Sequence, residues 1–129
     1  MNKPITVNDT ETAESWLNKL AREAPEDRHF PEEYDYNDVH GLVIRVLENE
    51  EISADVAELE LRSTLSQREA QVVALKKTGL THKGIALTLA FWSLGPETIS
   101  ESAVDEYVRR ARSKYDDAKE TVALLQDVF

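Results

Sequence analysis

The chain has no cysteine among its 129 residues, so disulfides and thiolate zinc sites are excluded. It also has no apolar run near the roughly 18 residues that a membrane-spanning helix needs, and its first residues lack the apolar core of a secretory signal. With 41% hydrophobic residues, a chain of this length can bury the core of one compact domain. We therefore expect a soluble cytoplasmic protein that does not enter a membrane.

Motifs of catalysis and metal binding are absent as well. The sequence contains no glycine-rich phosphate loop, no Ser-His-Asp arrangement and no metal-ligand spacing, and its histidines at positions 29, 40 and 82 have no convergent partners. Residues 25–37 are rich in acids but lack the spacing of a calcium loop, so they predict a solvated loop pinned by Phe30, Tyr34 and Tyr36. We expect no enzyme, no metal site and no cofactor.

Positive charge is scarce overall and unevenly distributed. The net charge is −10, because residues 1–64 hold 6 Lys and Arg against 16 Asp and Glu, whereas residues 65–129 hold 9 of each. A phosphate-binding surface needs local rather than total positive charge, and seven of the nine basic residues of the second half cluster between positions 76 and 114. The acidic first half has two compatible explanations, which are a halophilic source and a basic protein partner.

Three amphipathic helices are predicted in the acidic half. The first runs from position 8 or 9 to 24, the second from 35 or 37 to 49, and the third from 53 to 63. Gly41 lies inside the second helix, where it predicts close contact with another helix. Because no flexible linker follows position 63, we expect these helices to pack on the rest of the chain. The positions of the third helix predicted to face a partner are Ile52, Val56, Leu59 and Leu61.

Residues 65–112 carry the strongest local signals. Ser66 and Glu69 form a reciprocal capping box at a helix start, and Gly79 supplies the left-handed stop of that helix. Thr81 is the predicted cap of a second helix, in which small Ala86 permits close approach of a neighbouring helix. The other inward positions of this second helix are Ile85 and Leu89.

A third helix with paired valines follows at Ser100, with Val104 and Val108 facing inward. The ordered set of cap, Gly-Leu turn, Ile-Ala pair and paired valines resembles the helix-turn-helix of LuxR-type regulators and of sigma-factor region four. Against that family pattern, residues 91–98 form an eight-residue insertion before the third helix. An unrelated helical bundle is the alternative, since its core uses similar spacings.

The insertion has its own predicted structure. Its first four residues, Phe91 to Leu94, extend the second helix, and Gly95-Pro96 then breaks it. Thr98 with Glu101 offers another capping box, so the third helix begins at Ser100 or up to two residues earlier. Two roles stay open for the apolar side chains of the insertion: filling the core, or forming a loop that binds a partner. These side chains are Phe91, Trp92 and Leu94.

The resemblance implies that the third helix enters the major groove of double-stranded DNA. Arg109 is the expected base reader, because a guanidinium binds guanine O6 and N7 as a bidentate pair, and Ser102 can bond to several bases. The early acids Glu101, Asp105 and Glu106 depart from the family and repel phosphate. The predicted DNA contacts are Lys76, Lys77, Thr81, His82, Lys83, Ser100, Ser102, Arg109, Arg110 and Arg112, and Lys114 belongs to the same basic cluster.

Apolar residues continue past the third helix at alternating spacings of four and three, so we predict one long helix to about position 126. The first half of this stripe covers the core of the motif. The second half, Tyr115, Ala118, Val122 and Leu125, has two interpretations: a homodimer seam, as the resemblance implies, or packing back on the N-terminal helices.

Together these features predict an all-α fold with a helix-turn-helix core, N-terminal helices packed on it and a long C-terminal helix. The expected regions are an acidic helical region over residues 1–64, a DNA-binding region over 65–112, and a C-terminal helix over 113–129. The expected function is a dimeric DNA-binding transcriptional regulator. The alternative is an acidic protein-interaction module whose helix-turn-helix serves as a scaffold or is masked.

Overall fold

The computed structural model describes residues 5, 10–25, 28–92 and 99–129. Within these residues the regular secondary structure is entirely α-helical, which confirms the predicted fold class. The six helices are α1 Thr10–Glu23, α2 Tyr36–Leu47, α3 Glu50–Arg62, α4 Gln67–Lys77, α5 His82–Trp92 and α6 Glu101–Leu125. None of the helices described is long and apolar enough to cross a bilayer.

Side-chain caps explain where several helices begin. Asp35 and Asn49 each accept a hydrogen bond from the backbone N–H two residues later, at 2.8 and 2.9 Å, at the starts of α2 and α3. Ser66 and Glu69 form the predicted reciprocal box at α4, with bonds of 3.2 and 3.0 Å. Ser100 caps α6. Because Asn49 is available as a cap, α3 starts at position 50 rather than at the predicted 53.

The helices pack in two connected groups. In the first, α6 lies against both α4 and α5 and forms a three-helix core with them. In the second, α1 packs on α5, α2 packs on α1, and α3 packs on α4, so the acidic half rests on this core as predicted. Burying each large apolar side chain contributes roughly 1.5–3 kcal/mol before conformational entropy is subtracted. The largest fully buried apolar side chains are Leu17, Leu20, Val39, Val43, Val46, Val72, Leu75, Ile85, Leu87, Leu89 and Val104.

Two predictions for the acidic half are wrong. Gly41 is exposed, and no heavy atom lies within 4 Å of the place where a Cβ would be, so it makes no close helix contact. Leu61 is 84% exposed, because it lies about two and a half helical turns after Ile52, the buried residue through which α3 packs, and therefore on the opposite face of the helix. The predicted pinning of the loop holds for Phe30 and Tyr34, which are buried, and the ring of Tyr36 lies 6.3 Å from that of Phe30 although Tyr36 is 59% exposed.

The predicted extension of α5 covers residues 91–94, of which the last two lie outside the described residues, and it is confirmed for Phe91 and Trp92. Both side chains are partly buried against the core, which is the core-filling role for these two residues. The predicted break at Gly95-Pro96, the side chain of Leu94 and the predicted cap at Thr98 fall outside the described residues, as does the predicted first helix start at position 8.

The long C-terminal helix is also confirmed. α6 has 25 residues and therefore spans about 37 Å. Its first half packs on α4 and α5 through Val104, which is fully buried, and through the half-buried Val108 and Ala111. Its second half extends beyond this contact, and every residue from 115 to 125 is exposed.

Candidate nucleic-acid interface

The turn between α4 and α5 is held by a residue of α1. Gly79 adopts the left-handed backbone, with φ of 100°, that stops α4 as predicted. The side-chain amide of Asn18 donates to the carbonyl of Gly79 at 3.1 Å, and its oxygen accepts from the N–H of Thr81 at 2.8 Å. One amide thus joins both sides of the turn. Sequence reasoning missed Asn18, because its partners lie more than 60 residues away along the chain.

The same amide requires a glycine in α5. A Cβ at Gly84 would collide with the side-chain oxygen of Asn18 and would press on Leu80 and Thr81, each 3.3 Å away. The sequence predicted that Ala86 permits the close approach of a neighbouring helix. Ala86 is buried, but the tightest contact lies at Gly84. The α1–α5 contact therefore determines how the start of α5 is oriented.

Thr81 caps α5 as predicted. Its hydroxyl accepts from the N–H of Gly84 at 3.1 Å, and its carbonyl accepts from the N–H of Ile85 at 2.8 Å. The next residue, His82, links α4 to α6: its Nε2 lies 3.0 Å from Nζ of Lys76, and its Nδ1 contacts a carboxylate oxygen of Asp105. Two of the predicted phosphate contacts, Lys76 and His82, thus bond to each other.

The start of α6 presents the face that the sequence predicts. The hydroxyl of Ser100 accepts from the N–H of Ala103 at 3.1 Å, so it caps the helix and has this bond in addition to any outside contact. Ser102, Asp105 and Arg109 are exposed, as is Glu101 in the first turn. This face lies opposite the buried Val104, and its first turns carry more carboxylates than cations.

Glu106 holds both arginines of this face. Arg109 donates to the two carboxylate oxygens of Glu106 at distances of 2.6 to 3.0 Å, and Nε of Arg110 donates at 3.2 Å. The hydrogen bond from Arg109 is the main cause of a lowered pKa at Glu106, so this carboxylate stays charged beside the arginines. The expected base reader, Arg109, is therefore half of an intramolecular ion pair, which sequence reasoning did not foresee.

Two other lysines of the basic cluster serve the fold. Lys114 donates to the nearly buried carboxylate of Glu69 at 2.6 Å and to the carbonyl of Thr64 at 2.8 Å, so it ties α6 to the capping box of α4. Lys77 forms a 3.0 Å ion pair with Asp55 of α3. Lys114 does not belong among free phosphate-binding groups, and Lys77 is directed toward the acidic half.

Lys83 and Arg112 complete the predicted set. Both are exposed, and among the described residues neither forms an ion pair with a carboxylate. Lys83 also lines a cavity of about 470 Å³ between the end of α1 and the start of α6, together with Arg28 and His29. Burial lowers the pKa of His29 and favours its neutral form. Arg28 thus adds a basic side chain that sequence reasoning missed.

The predicted dimer seam is exposed. Tyr115 and Val122 are 62% and 67% exposed, and Ala118 and Leu125 also face solvent, so the alternative that they pack back on the N-terminal helices is wrong. Beside them, an apolar groove of about 400 Å³ runs between α3, α4 and α6, and it includes Leu59 and Val73. The exposed stripe on α6 therefore continues into a concave apolar surface of the same chain.

Comparison of the chain with family models, with curated proteins and with solved structures finds no match. The resemblance to LuxR-type and sigma-region-four proteins thus stays a prediction from the residues. Among the residues described, no group of three or more His, Asp and Glu side chains is arranged to hold a metal ion.

Proposed function

We propose that the protein is a DNA-binding transcriptional regulator in which α6 enters the major groove of double-stranded DNA. The observation that carries this proposal is the turn between α4 and α5, which is fixed by Asn18 and leaves the first turns of α6 exposed. A helix-turn-helix requires this combination of a positioned second helix and an accessible third one. We propose no catalytic activity.

The side chains divide into two roles in this proposal. Arg109 and Ser102, exposed on α6, contact base edges. Phosphates are contacted by cations on either side of that face and by the cap of α5. These phosphate contacts are Lys76, Thr81, His82, Lys83, Arg110 and Arg112, with Arg28 added from the loop before α2. Lys77 is left out because its ion pair with Asp55 directs it toward α3 and the acidic half, away from the exposed face of α6.

The ion pairs with Glu106 weaken the attraction of Arg109 and Arg110 for DNA. DNA phosphates must compete with this carboxylate for Arg109 and Arg110, so part of their attraction is already satisfied within α6. Binding at ordinary salt is then weak unless the base sequence offers contacts that outweigh the internal pair. The acidic first turns, which depart from the family pattern, are thus an expected source of selectivity.

The test is binding of the full chain to random and selected duplexes, followed by fluorescence anisotropy across a salt series. The full chain is needed because α1 supplies Asn18, and removing residues 1–64 would release the turn that the proposal depends on. We expect log affinity to fall linearly with log salt, with a slope of about −0.9 for each phosphate neutralised. If no duplex binds even at low salt, the DNA proposal fails.

We further propose that the regulator is a homodimer formed through the exposed stripe of α6. The first half of the stripe is covered by α4 and α5 of its own chain, so a second copy can reach only the second half. A parallel pair would place the second copy's own core in the same space. We therefore expect an antiparallel pair, in which Ala118 lies opposite Val122 of the other copy and Tyr115 lies opposite Leu125.

Cysteine cross-linking tests this orientation, since the chain has no native cysteine. Ala118→Cys and Val122→Cys are made separately, and each is oxidised alone and in an equal mixture. An antiparallel pair cross-links in the mixture far more than in either variant alone. Efficient linking of Ala118→Cys to itself would show a parallel pair instead, and absence of linking in every sample would exclude this seam.

The second candidate function is a protein-interaction module that uses the helical core as a scaffold. It is favoured by the ion pairs of Arg109 and Arg110 with Glu106, which mask the surface that DNA would need. A pull-down that is insensitive to nuclease, together with no duplex binding by the full chain, would support this function over DNA binding.

A further inference from the structure

The outward side of α2 carries an aromatic surface that is exposed among the described residues. The ring of Phe91, at the end of α5, lies 4.9 Å from the ring of Tyr36 and 5.8 Å from that of His40. Tyr36 is 59% exposed, and Ile44, one turn beyond His40, is 38% exposed. Residues 36, 40 and 44 recur at four-residue spacing and therefore form one stripe along the helix. We call this stripe, with Gly41 and Phe91, the α2 outer face.

Gly41 lies within this face, and no described residue explains why a glycine is needed there. A Cβ there would meet no atom within 4 Å, in contrast to Gly84, where a Cβ would strike Asn18. The contacts of α2 with α1 and α5 use the opposite side of the helix, where Val39, Leu42, Val43 and Val46 are buried. A glycine in a helix interior is less stable than alanine, and here the described structure offers no compensation. The missing side chain does leave room for another backbone to approach from outside.

Exposed carboxylates outnumber cations around the α2 outer face. Asp38 is exposed on α2, Glu48 directly follows the helix, and Glu32 and Glu33 are exposed in the loop that precedes it, whereas Arg45 is the one exposed cation of α2. A second copy docked through the same face would bring these like charges together. A partner that carries Lys or Arg would instead form ion pairs with them, and its cations would also be attracted to the open face of the Tyr36 ring.

We propose that the α2 outer face binds a basic amphipathic helix of another protein. The helix crosses α2 at Gly41, where its backbone comes closest, and its apolar side covers Ile44 and the rings of Tyr36 and Phe91. Its Lys and Arg residues lie at the edges, next to Asp38 and Glu48. This site is on α2, away from the exposed turns of α6, and the proposal does not depend on DNA binding.

The test measures binding of a labelled synthetic helix to the full chain by fluorescence anisotropy. The probe is a peptide of about 18 residues made of Leu, Ala and Lys with an apolar side, long enough to be helical in water. The same peptide with Glu in place of Lys is the charge control. The variant is Gly41→Gln, and its matched control is Ser53→Gln, which adds the same side chain at an exposed position of α3.

We expect Gly41→Gln to raise the melting temperature by a few degrees, roughly 2–5 °C, because Gln is the better helix former, yet to weaken binding of the Lys peptide at least tenfold. A structural role alone would not stabilise the fold and reduce binding together. Ser53→Gln should bind like the unmodified chain, and the Glu peptide should not bind. Equal binding by both variants, or no binding of the Lys peptide to the unmodified chain, overturns the proposal. Duplex affinity measured on Gly41→Gln should equal that of the unmodified chain, so failure of this site is distinguishable from failure of the DNA proposal.

Discussion

Removing the carboxylate charge of Glu106 should turn the protein into a stronger and more salt-sensitive DNA binder. In the structure this one carboxylate accepts hydrogen bonds from Arg109 at 2.6 to 3.0 Å and from Arg110 at 3.2 Å. Glu106→Gln retains the size of the side chain and its place on α6, but it removes the negative charge that competes with phosphate. On a random duplex, which offers Arg109 no preferred base, both arginines then become available to the phosphates of the DNA backbone.

The expected magnitude follows from the number of cations released. Each additional phosphate contact steepens the slope of log affinity against log salt by about 0.9, so two contacts steepen it by about 1.8. Between 50 and 200 mM salt, this corresponds to an additional loss of affinity of roughly 12-fold relative to the unmodified chain. The measurement is anisotropy of a labelled random duplex titrated with the full chain at several salt concentrations between these limits.

Glu101→Gln is the matched control. It removes the same charge from the same helix, but Glu101 is exposed in the first turn and is not part of the Arg109–Glu106–Arg110 ion pairs. If both variants change the slope equally, the effect is one of total charge and the ion pairs do not restrain binding. If Glu106→Gln leaves the slope unchanged while the chain still binds DNA, Arg109 and Arg110 do not face phosphates, and the assignment of this face is refuted.

Three further predictions concern the reader and the fold. Arg109→Ala should weaken binding to a selected duplex by about 1–3 kcal/mol and relax its sequence preference, as seen by comparing selected and random duplexes. Gly84→Ala should destabilise the chain by roughly 1–3 kcal/mol in urea unfolding, because the new methyl group displaces the amide of Asn18. An unchanged midpoint of urea unfolding would show that Asn18 does not hold the turn between α4 and α5. The hydrogen bond from Lys114 lowers the pKa of Glu69 in the folded chain. The pair therefore stabilises the fold above the ordinary carboxyl pKa of about 4.3, and this contribution is lost as pH falls through the lowered value. Lys114→Met should lower the midpoint of urea unfolding at neutral pH and should reduce the loss of stability as the pH falls. If the dependence of the midpoint on acid pH is unaltered, the Lys114–Glu69 pair is not its cause.

Local signals predicted most helix boundaries and several caps. The Ser66–Glu69 box, the left-handed stop at Gly79 and the cap at Thr81 all depend on atoms within a few residues, so the pattern of residue types is enough to locate them. The burial of Val104 and the extent of α6 follow from helical periodicity in the same way. Predictions failed where the partner of a residue lies elsewhere in the chain. Gly41 was expected at a helix contact but is exposed, and the neighbouring residues of the sequence do not reveal which side of α2 meets solvent.

At the candidate interface too, the sequence predicted which residues matter, whereas the structure shows what most of them contact. Composition and spacing indicated which cations cluster between positions 76 and 114, but not which of them are already paired. Lys77 meets Asp55 and Lys114 meets Glu69 because helices distant in sequence pack side by side. Glu106 and Arg109 are three residues apart on one helix, so their pairing was within reach of sequence reasoning, which treated both only as outward-facing groups.

The amino-acid sequence by itself determined the all-helical class, the caps, the long final helix and the concentration of net negative charge in residues 1–64. These properties depend on backbone propensity, local hydrogen bonds and charge counts, none of which needs a distant partner. The tertiary structure alone decided that Asn18 braces the turn, that Gly84 rather than Ala86 marks the tightest contact, and that Gly41 and Tyr115 face outward. Helical periodicity identifies the faces of a helix, but which face meets which neighbour is set by how all six helices share one core.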